Sequence, residues 1–269
     1  MNGGKEKMTA AIEVKNLTKT FKNMEGKTFK VLDNISLKVE KEEFVSVLGP
    51  SGCGKSTLLN TISGLEPFDS GVILVNGKPV GSNGNEARIG YVFQNPRLLN
   101  WMTVEKNITY ALSGTDIPKE QWKGIAQDVI KIVGLRGVEN SYPLQLSGGM
   151  QQRVSIARAL AIKPDIILMD EPFSHLDEIT AEKLREELLD MWQKTKVSIL
   201  FVTHDMSEAV FLSDKIYMMS AKPTTIFMEY RVKMKRPRNK LDGSLLKIEK
   251  KLMEKFQKKC AFSAEGIAV

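Results

Sequence analysis

Apolar and polar positions divide the chain into strand-like and helix-like stretches. Residues 12–14 read as a strand, and residues 31–39 as another, with Ile35, Leu37 and Val39 on one face. Residues 44–48 are a short apolar run leading into a glycine-rich loop, and residues 56–63 then read as a helix closed by Gly64. Residues 71–75 and 89–93 predict further strands, parted by Gly- and Asn-rich turns. From residue 103 to 161 the character becomes helical. Val104, Ile108 and Leu112 recur at fours, and Trp122, Ile125, Val129, Ile132 and Val133 keep a similar period until Gly134 and Gly137 break it. A helix over 150–161 follows. Residues 166–169 predict a buried strand, 178–193 a charged helix, 197–203 a strand and 206–212 a helix. Residues 216–220 and 224–230 predict a terminal hairpin. Pro237 marks a break, and 245–256 predict an amphipathic helix. The pattern describes a mixed α/β core with a helical insertion over about residues 95–164, without internal repeat or low-complexity linker.

At 269 residues the chain is long enough for a substantial core. No stretch approaches the ~20 apolar residues that a membrane span needs. The first ten residues are polar, carry Lys5 and Lys7, and do not read as a secretory signal. The two cysteines are Cys53 and Cys260. A disulfide at Cys53 would lock the glycine-rich loop, so reduced thiols of a cytosolic protein are expected. In such a chain the glycosylation pattern Asn107-Ile108-Thr109 is a chance match. The net charge of +7 gathers in the tail, where twelve basic residues between Arg231 and Lys259 meet only Asp242, Glu249 and Glu254. A solvated helix face plus a loop is the plain reading; anionic lipid and nucleic acid are the functional ones. Phe256 is almost alone among aromatics there, which gives base stacking little support.

Gly49-Pro50-Ser51-Gly52-Cys53-Gly54-Lys55-Ser56-Thr57 fits the phosphate loop G-x-x-x-x-G-K-[ST], between a strand and a helix as that loop requires. Gly52 and Gly54 let the backbone amides turn inward, and the helix adds its positive end. Lys55 supplies charge to the outer phosphates, Ser56 a ligand for Mg²⁺, and Thr57 a further donor. Cys53 reads as a small packing residue. Asp170, at the end of an apolar run, is placed to hold Mg²⁺ through water. Glu171 follows, points the other way by strand alternation, and is the candidate general base for the attacking water. His204 ends a further strand, where its neutral ring can meet the γ-phosphate and Glu171. Ser147, Gly148 and Gly149 open a helix and form a second anion site.

The stretch Leu146-Ser147-Gly148-Gly149-Met150-Gln151-Gln152-Arg153, set between the phosphate loop and the Asp170-Glu171 pair, resembles the signature of the ATP-binding cassette family, the ATPase subunits of ABC transporters. The resemblance covers about residues 10–230. It implies a P-loop NTPase (RecA-like) core with an antiparallel β subdomain and a helical signature subdomain. The cassette would span residues 1–230, and residues 231–269 a basic extension. It implies a homodimer in which Ser147, Gly148, Gly149 and Gln151 complete the partner's ATP site, while Asp177 communicates between sites. It gives Gln94 contacts to Mg²⁺ and the water, and gives the Gln94 loop contact with a permease. Trp101 in that loop is either core packing or part of the groove receiving a membrane-domain helix. Phe21 is the candidate adenine platform, with Phe29 competing. His175 departs from the Ala that relatives often carry.

Tyr91-Val92-Phe93-Gln94, Leu98-Leu99-Asn100-Trp101, Glu171-Pro172-Phe173-Ser174, residues 201–212 and Arg236-Pro237-Arg238 resemble the nitrate/sulfonate/taurine importer branch. The implied protein uses ATP and Mg²⁺ at the cytoplasmic face of the cell membrane. It energises uptake of a small solute through separate permease subunits, served by an extracytoplasmic solute-binding protein. No nucleic acid partner is expected. The rivals are a soluble ABC ATPase acting on nucleic acid or ribosomes, which would usually carry two cassettes or a coiled-coil insertion, and a degenerate cassette lacking Lys55, Glu171 or His204.

Overall fold

The computed structural model describes residues 10–80, 87–239 and 242–264, with side chains described as far as residue 259. Lys5, Lys7 and the Cys260 side chain lie outside the described residues. Strands β1 (Ile12–Lys22), β2 (Thr28–Val39), β4 (Ser70–Val75) and β5 (Lys78–Pro79) form an antiparallel sheet in the order β2-β1-β4-β5. The second sheet has six strands. They are β3 (Phe44–Leu48), β6 (Ile89–Val92), β7 (Ile166–Asp170), β8 (Ser198–Thr203), β9 (Lys215–Met219) and β10 (Ile226–Arg231), in the order β10-β9-β3-β8-β7-β6. All its pairings are parallel except β10 with β9. Every residue of β3, β7, β8 and β9 is buried, so both faces of these strands are covered and their sequences are mostly apolar, with Ser46 and Lys215 among the buried exceptions.

The expected strand 12–14 is the first part of a longer one. Register shifts between Val14 and Thr20, with Asn16 at φ 50°, interrupt the pairing with β2. A bulged strand loses its period of two, which is why residues beyond Val14 carry no alternating pattern.

Helix α1 (Lys55–Ile62) follows the phosphate loop. The helical insertion contains α2 (Val104–Ala111), α3 (Lys119–Ile132) and α4 (Gly148–Ala161). Gly134 at φ 68° and Gly137 at φ 90° turn the chain out of α3. Helix α4 begins two residues earlier than the apolar pattern suggests, because the Ser147 hydroxyl caps it by accepting the Met150 amide at 3.3 Å. Asp177 caps α5 (Glu178–Thr195), and Asp205 caps α6 (Met206–Leu212).

One core packs α2 to α5 against the sheet through Val104, Val129, Val154 and Leu188 with Ile167, Met169 and Phe201. A second fills the space between the sheets and α1, joining Ile12, Leu17 and Ile35 to Val47, Leu59 and Leu168. A third seats α7 (Gly243–Ala264), whose buried Leu245 and Leu252 meet Met206, Val210 and Met218. The mixed α/β architecture with an antiparallel sheet and a helical insertion is the one expected.

Candidate functional site

The phosphate loop leaves the C-terminal end of β3, between β8 and β9. Gly52 has φ 73° and Gly54 φ 116°, both in the left-handed region where side chains are strained. A Cβ on Gly54 would also stand 2.8 Å from Val31 Cγ1. The first α1 backbone bond runs from the Leu58 amide to the Gly54 carbonyl at 2.9 Å. The amides of Lys55, Ser56 and Thr57 therefore precede the helical ladder and point out of its positive end. Cys53 is buried, and burial pushes its thiol up despite the nearby Lys55. The Thr224 hydroxyl donates to the Cys53 carbonyl and ties the loop to the β9–β10 turn. Nothing in the sequence singles out Thr224; only the fold brings the turn there.

Lys55 is 4% exposed. Its Nζ donates to the carbonyls of Gly49 at 2.9 Å and Pro50 at 3.0 Å, and pairs with Glu171 Oε1 at 3.0 Å. The Ser56 hydroxyl donates to Asp170 Oδ1 at 3.0 Å. Glu171 Oε2 lies 2.7 Å from His204 Nδ1. Strands β3, β7 and β8 thus deliver these five residues to one edge of the parallel sheet.

Strand alternation does not aim Glu171. Strand β7 stops at Asp170, and Glu171 turns into the left-handed region at φ 42°, its amide held by the Val202 carbonyl at 3.0 Å. This turn lets neighbouring carboxylates both face the phosphate loop. Their environments differ. Burial pushes the Asp170 carboxyl above its usual range, against the Ser56 hydrogen bond. Burial also pushes Glu171 up, but the Lys55 ammonium and the His204 ring outweigh it and hold the carboxyl below its usual range. An ionised Glu171 only accepts hydrogen bonds, so the His204 Nδ1–H donates to it.

Gln94 is exposed just past β6, and its amide nitrogen donates to the Ser174 hydroxyl at 3.0 Å, which donates to the Glu171 carbonyl at 3.0 Å. Gln94 is thereby linked to the turn that carries Glu171. Trp101 is 73% exposed, which removes core packing as its role. Buried Asn107 pins this loop to α2. It accepts the Leu99 amide at 2.9 Å and donates to the carbonyls of Leu99, Met102 and Thr103 at 3.1, 3.0 and 3.1 Å.

Ser147 and Gly148 are exposed and Gly149 is buried. Among the described residues no hydrogen bond or ion pair joins them to the phosphate loop. The start of α4 instead lies against the start of α5: a Cβ on Gly148 would approach Leu176 Cδ2 to 3.2 Å, and one on Gly149 would meet Thr180 Cγ2 at 2.9 Å. Gln151 turns inward, donating to the Pro143 and Leu146 carbonyls at 3.0 and 3.2 Å, so its amide braces the preceding loop. Asp177 is exposed and accepts the Thr180 amide at 3.0 Å; His175 is exposed beside it. Phe21 and Phe29 pair across β1 and β2 and stack, with ring centroids 6.2 Å apart. The two adenine candidates are one aromatic platform, with the Lys19 ammonium 4.6 Å from the Phe21 ring centre.

These residues fit a nucleoside triphosphate with a divalent cation. The loop offers a helix end, free-pointing amides and a lysine that now bonds its own loop carbonyls. Ser56 and Asp170 present oxygens only, which suits Mg²⁺, and a cation there offsets the burial that raises Asp170.

The sequence pattern of the ABC transporter family matches residues 32–174. An uncharacterized ABC transporter ATP-binding protein of Methanocaldococcus jannaschii is 47% identical over 249 residues, spanning 93% of this chain and 92% of that protein. The aliphatic sulfonates import ATP-binding protein of Bacillus cereus is 43% identical, spanning 91% and 96%. A solved dimeric ATP-binding cassette in a post-hydrolysis state, bound to ADP and Pi, aligns at 33% identity with a TM-score of 0.71, over 83% of this chain and 100% of the other. Similarity of sequence along nearly the whole length and of fold over the nucleotide site lead to one conclusion: the chain belongs to the ABC transporter family, as one of its ATP-hydrolysing cassettes.

Proposed function

We propose that the cassette works as a head-to-tail homodimer beneath permease subunits at the cytoplasmic face of a cell membrane. It energises uptake of a small anion, such as a sulfonate, nitrate or taurine, delivered by an extracytoplasmic solute-binding protein. The sulfonate-import relative supports this class of cargo. The observation that carries the dimer is the pair of anion-binding helix starts. That of α1 meets Lys55, Asp170 and Glu171 of its own chain, whereas Ser147 and Gly148 at the start of α4 are exposed. Two copies facing each other give each exposed start a triphosphate to cap, with Asp177 beside the joint.

The arriving triphosphate takes Lys55 from its loop carbonyls and from Glu171. Ser56 and Asp170 would hold Mg²⁺, with Gln94 joining them as the dimer closes, and the ion would supply positive charge against the phosphates. Thr57 and the loop amides cradle the phosphates, and Phe21, backed by Phe29, supports the adenine. Glu171, released from Lys55 and still ionised, takes a proton from water as its oxygen attacks the γ-phosphorus, giving ADP and phosphate. His204 holds Glu171 in place; as a neutral ring with one N–H it donates to Glu171 or to the γ-phosphate, not to both at once.

Glu171→Gln tests this reading. The variant is expected to bind ATP, to elute as a dimer with ATP, and to turn over ~100-fold or more slowly. Wild-type turnover would reject Glu171 as the base, and a monomer with bound ATP would reject the shared site. ATPase stimulated by a reconstituted permease with its binding protein supports the transport role; stimulation by DNA or ribosomes instead would replace it.

A further inference from the structure

Beneath the His204 turn runs a chain of ionic contacts that the hydrolytic steps leave unused. Arg185, on α5, is 2% exposed. Its Nη1 and Nη2 donate to Glu178 Oε1 at 3.0 and 3.1 Å, and Nη2 also to Oε2 at 3.2 Å. Its Nε donates to Glu208 Oε1 at 3.2 Å. The other Glu208 oxygen accepts the Thr203 hydroxyl at 2.6 Å, and the Thr203 oxygen accepts the Asp205 amide at 2.9 Å. Thr203 and Asp205 flank His204. Glu178 follows Asp177, at the start of α5, against which the signature end of α4 packs. A continuous path therefore joins the start of α5 to the turn that carries His204.

We propose that Arg185 and Glu208 are positioning residues that set His204 against Glu171 according to how the facing protomer engages the start of α5. The proposal rests on the homodimer reading above. An apolar pair of the same volume would hold α5 on α6 at least as well as buried ions do. What the ions add is direction. The guanidinium is a rigid planar fork, and its bonds to Glu178 pass a shift of the α5 start to Glu208. Glu208 has no slack to absorb it, because its second oxygen already fixes the Thr203 hydroxyl that holds the Asp205 amide. Burial, with the nearby Asp205 carboxylate, pushes the Glu208 carboxyl up, against the Thr203 hydroxyl and Arg185.

The test follows ATP hydrolysis by the full chain against ATP concentration in Glu178→Gln, Glu208→Gln, Arg185→Gln and Arg185→Lys. The Glu178 side chain is 74% exposed, so its variant leaves the core packed. Glu178→Gln and Glu208→Gln are expected to lower kcat about 3- to 30-fold and to bring the Hill coefficient toward about 1. KM for ATP should stay within about twofold, because the link reaches the phosphate loop through the Thr203 carbonyl, which accepts the Gly49 amide at 3.4 Å and which none of these variants alters. Arg185→Lys, which keeps the charge but not the fork, should recover part of the kcat lost in Arg185→Gln. A folded Glu178→Gln protein with wild-type kcat and Hill coefficient overturns the proposal, as does a Glu208→Gln protein that is merely less stable with normal turnover per site. The size of Glu171→Gln with ATP separates the two readings. A monomer there sinks the dimer and this link together, whereas a dimer alongside unchanged Glu178→Gln kinetics sinks the link alone.

Discussion

Asp170 and Glu171 share a peptide bond, yet the fold raises one carboxyl and lowers the other. In the proposed mechanism the ionised Glu171 takes a proton and Asp170 faces the cation. The sign of the Asp170 shift yields a prediction. Its folded-state value lies above the ordinary 3.8, so the folded chain holds this proton more tightly than the unfolded chain. Stability from this group is present below the ordinary value and lost as pH rises through the raised one, leaving a penalty at neutral pH. Asp170→Asn keeps an oxygen for the Ser56 hydroxyl and removes the buried charge. It should raise the unfolding free energy without nucleotide at pH 7 and lower Mg-dependent ATP turnover at least ~10-fold. Thermal unfolding from pH 4 to 8 beside ATPase assays checks both; an advantage of the variant that grows as pH falls would contradict the sign. At this scale the phosphate loop, Asp170, Glu171 and His204 are legible because each chemistry ties a residue type to a strand end. The φ 42° turn at Glu171 is not legible, since a left-handed glutamate leaves no compositional mark. Nor is the inward Gln151 amide, whose partners are carbonyls.

The loop after β6 shows what an element adds to its residues. Trp101 is exposed on it, and four hydrogen bonds from Asn107 on α2 hold its backbone. Asn107→Ala leaves the Leu99 amide and the surrounding carbonyls without that side chain. It should cost about 1–3 kcal/mol of stability. The phosphate loop and Glu171 are untouched, so basal turnover should survive while stimulation by a reconstituted permease drops, which thermal melts and paired ATPase assays would register. Equal loss of basal and stimulated rates would show that Asn107 serves the nucleotide site instead. Long apolar periods and fully buried strands are legible at this scale because both faces or one broad stripe must be covered. Bulged β1 is not, and neither is the Phe21–Phe29 stack, which depends on cross-strand register rather than on spacing along the chain.

Across the whole molecule, the start of the basic tail joins the body through Arg236 and Arg238, and α7 through its apolar face. Arg238 is buried, and its Nη1 donates to the carbonyls of Val210, Phe211 and Ser213 at 2.9, 3.0 and 2.8 Å, closing the C-terminal end of α6. Arg236 pairs with Asp214, bonds the Leu212 carbonyl, and lies over the Trp192 ring at 4.5 Å. Leu245 and Leu252 enter the third core, while Lys247, Lys250, Lys251, Lys255 and Lys258 stay exposed. The sequence gives away the amphipathic period of α7 but not its seat, because partners as distant as Met206 and Met218 leave no local sign. Helix α6 begins two residues after His204, with Asp205 as its cap, so the tail braces the far end of the helix that follows the His204 turn. Apolar anchorage and charge should then separate cleanly. Leu252→Ala should cost about 2–5 kcal/mol, a fall in Tm of roughly 5–15 °C for a chain of this size. Lys250→Glu with Lys251→Glu should shift stability by less than about 0.5 kcal/mol. Melting both variants beside wild type decides it: if the charge reversal destabilises as much as the leucine truncation, the tail is held by its basic face and the packing argument fails.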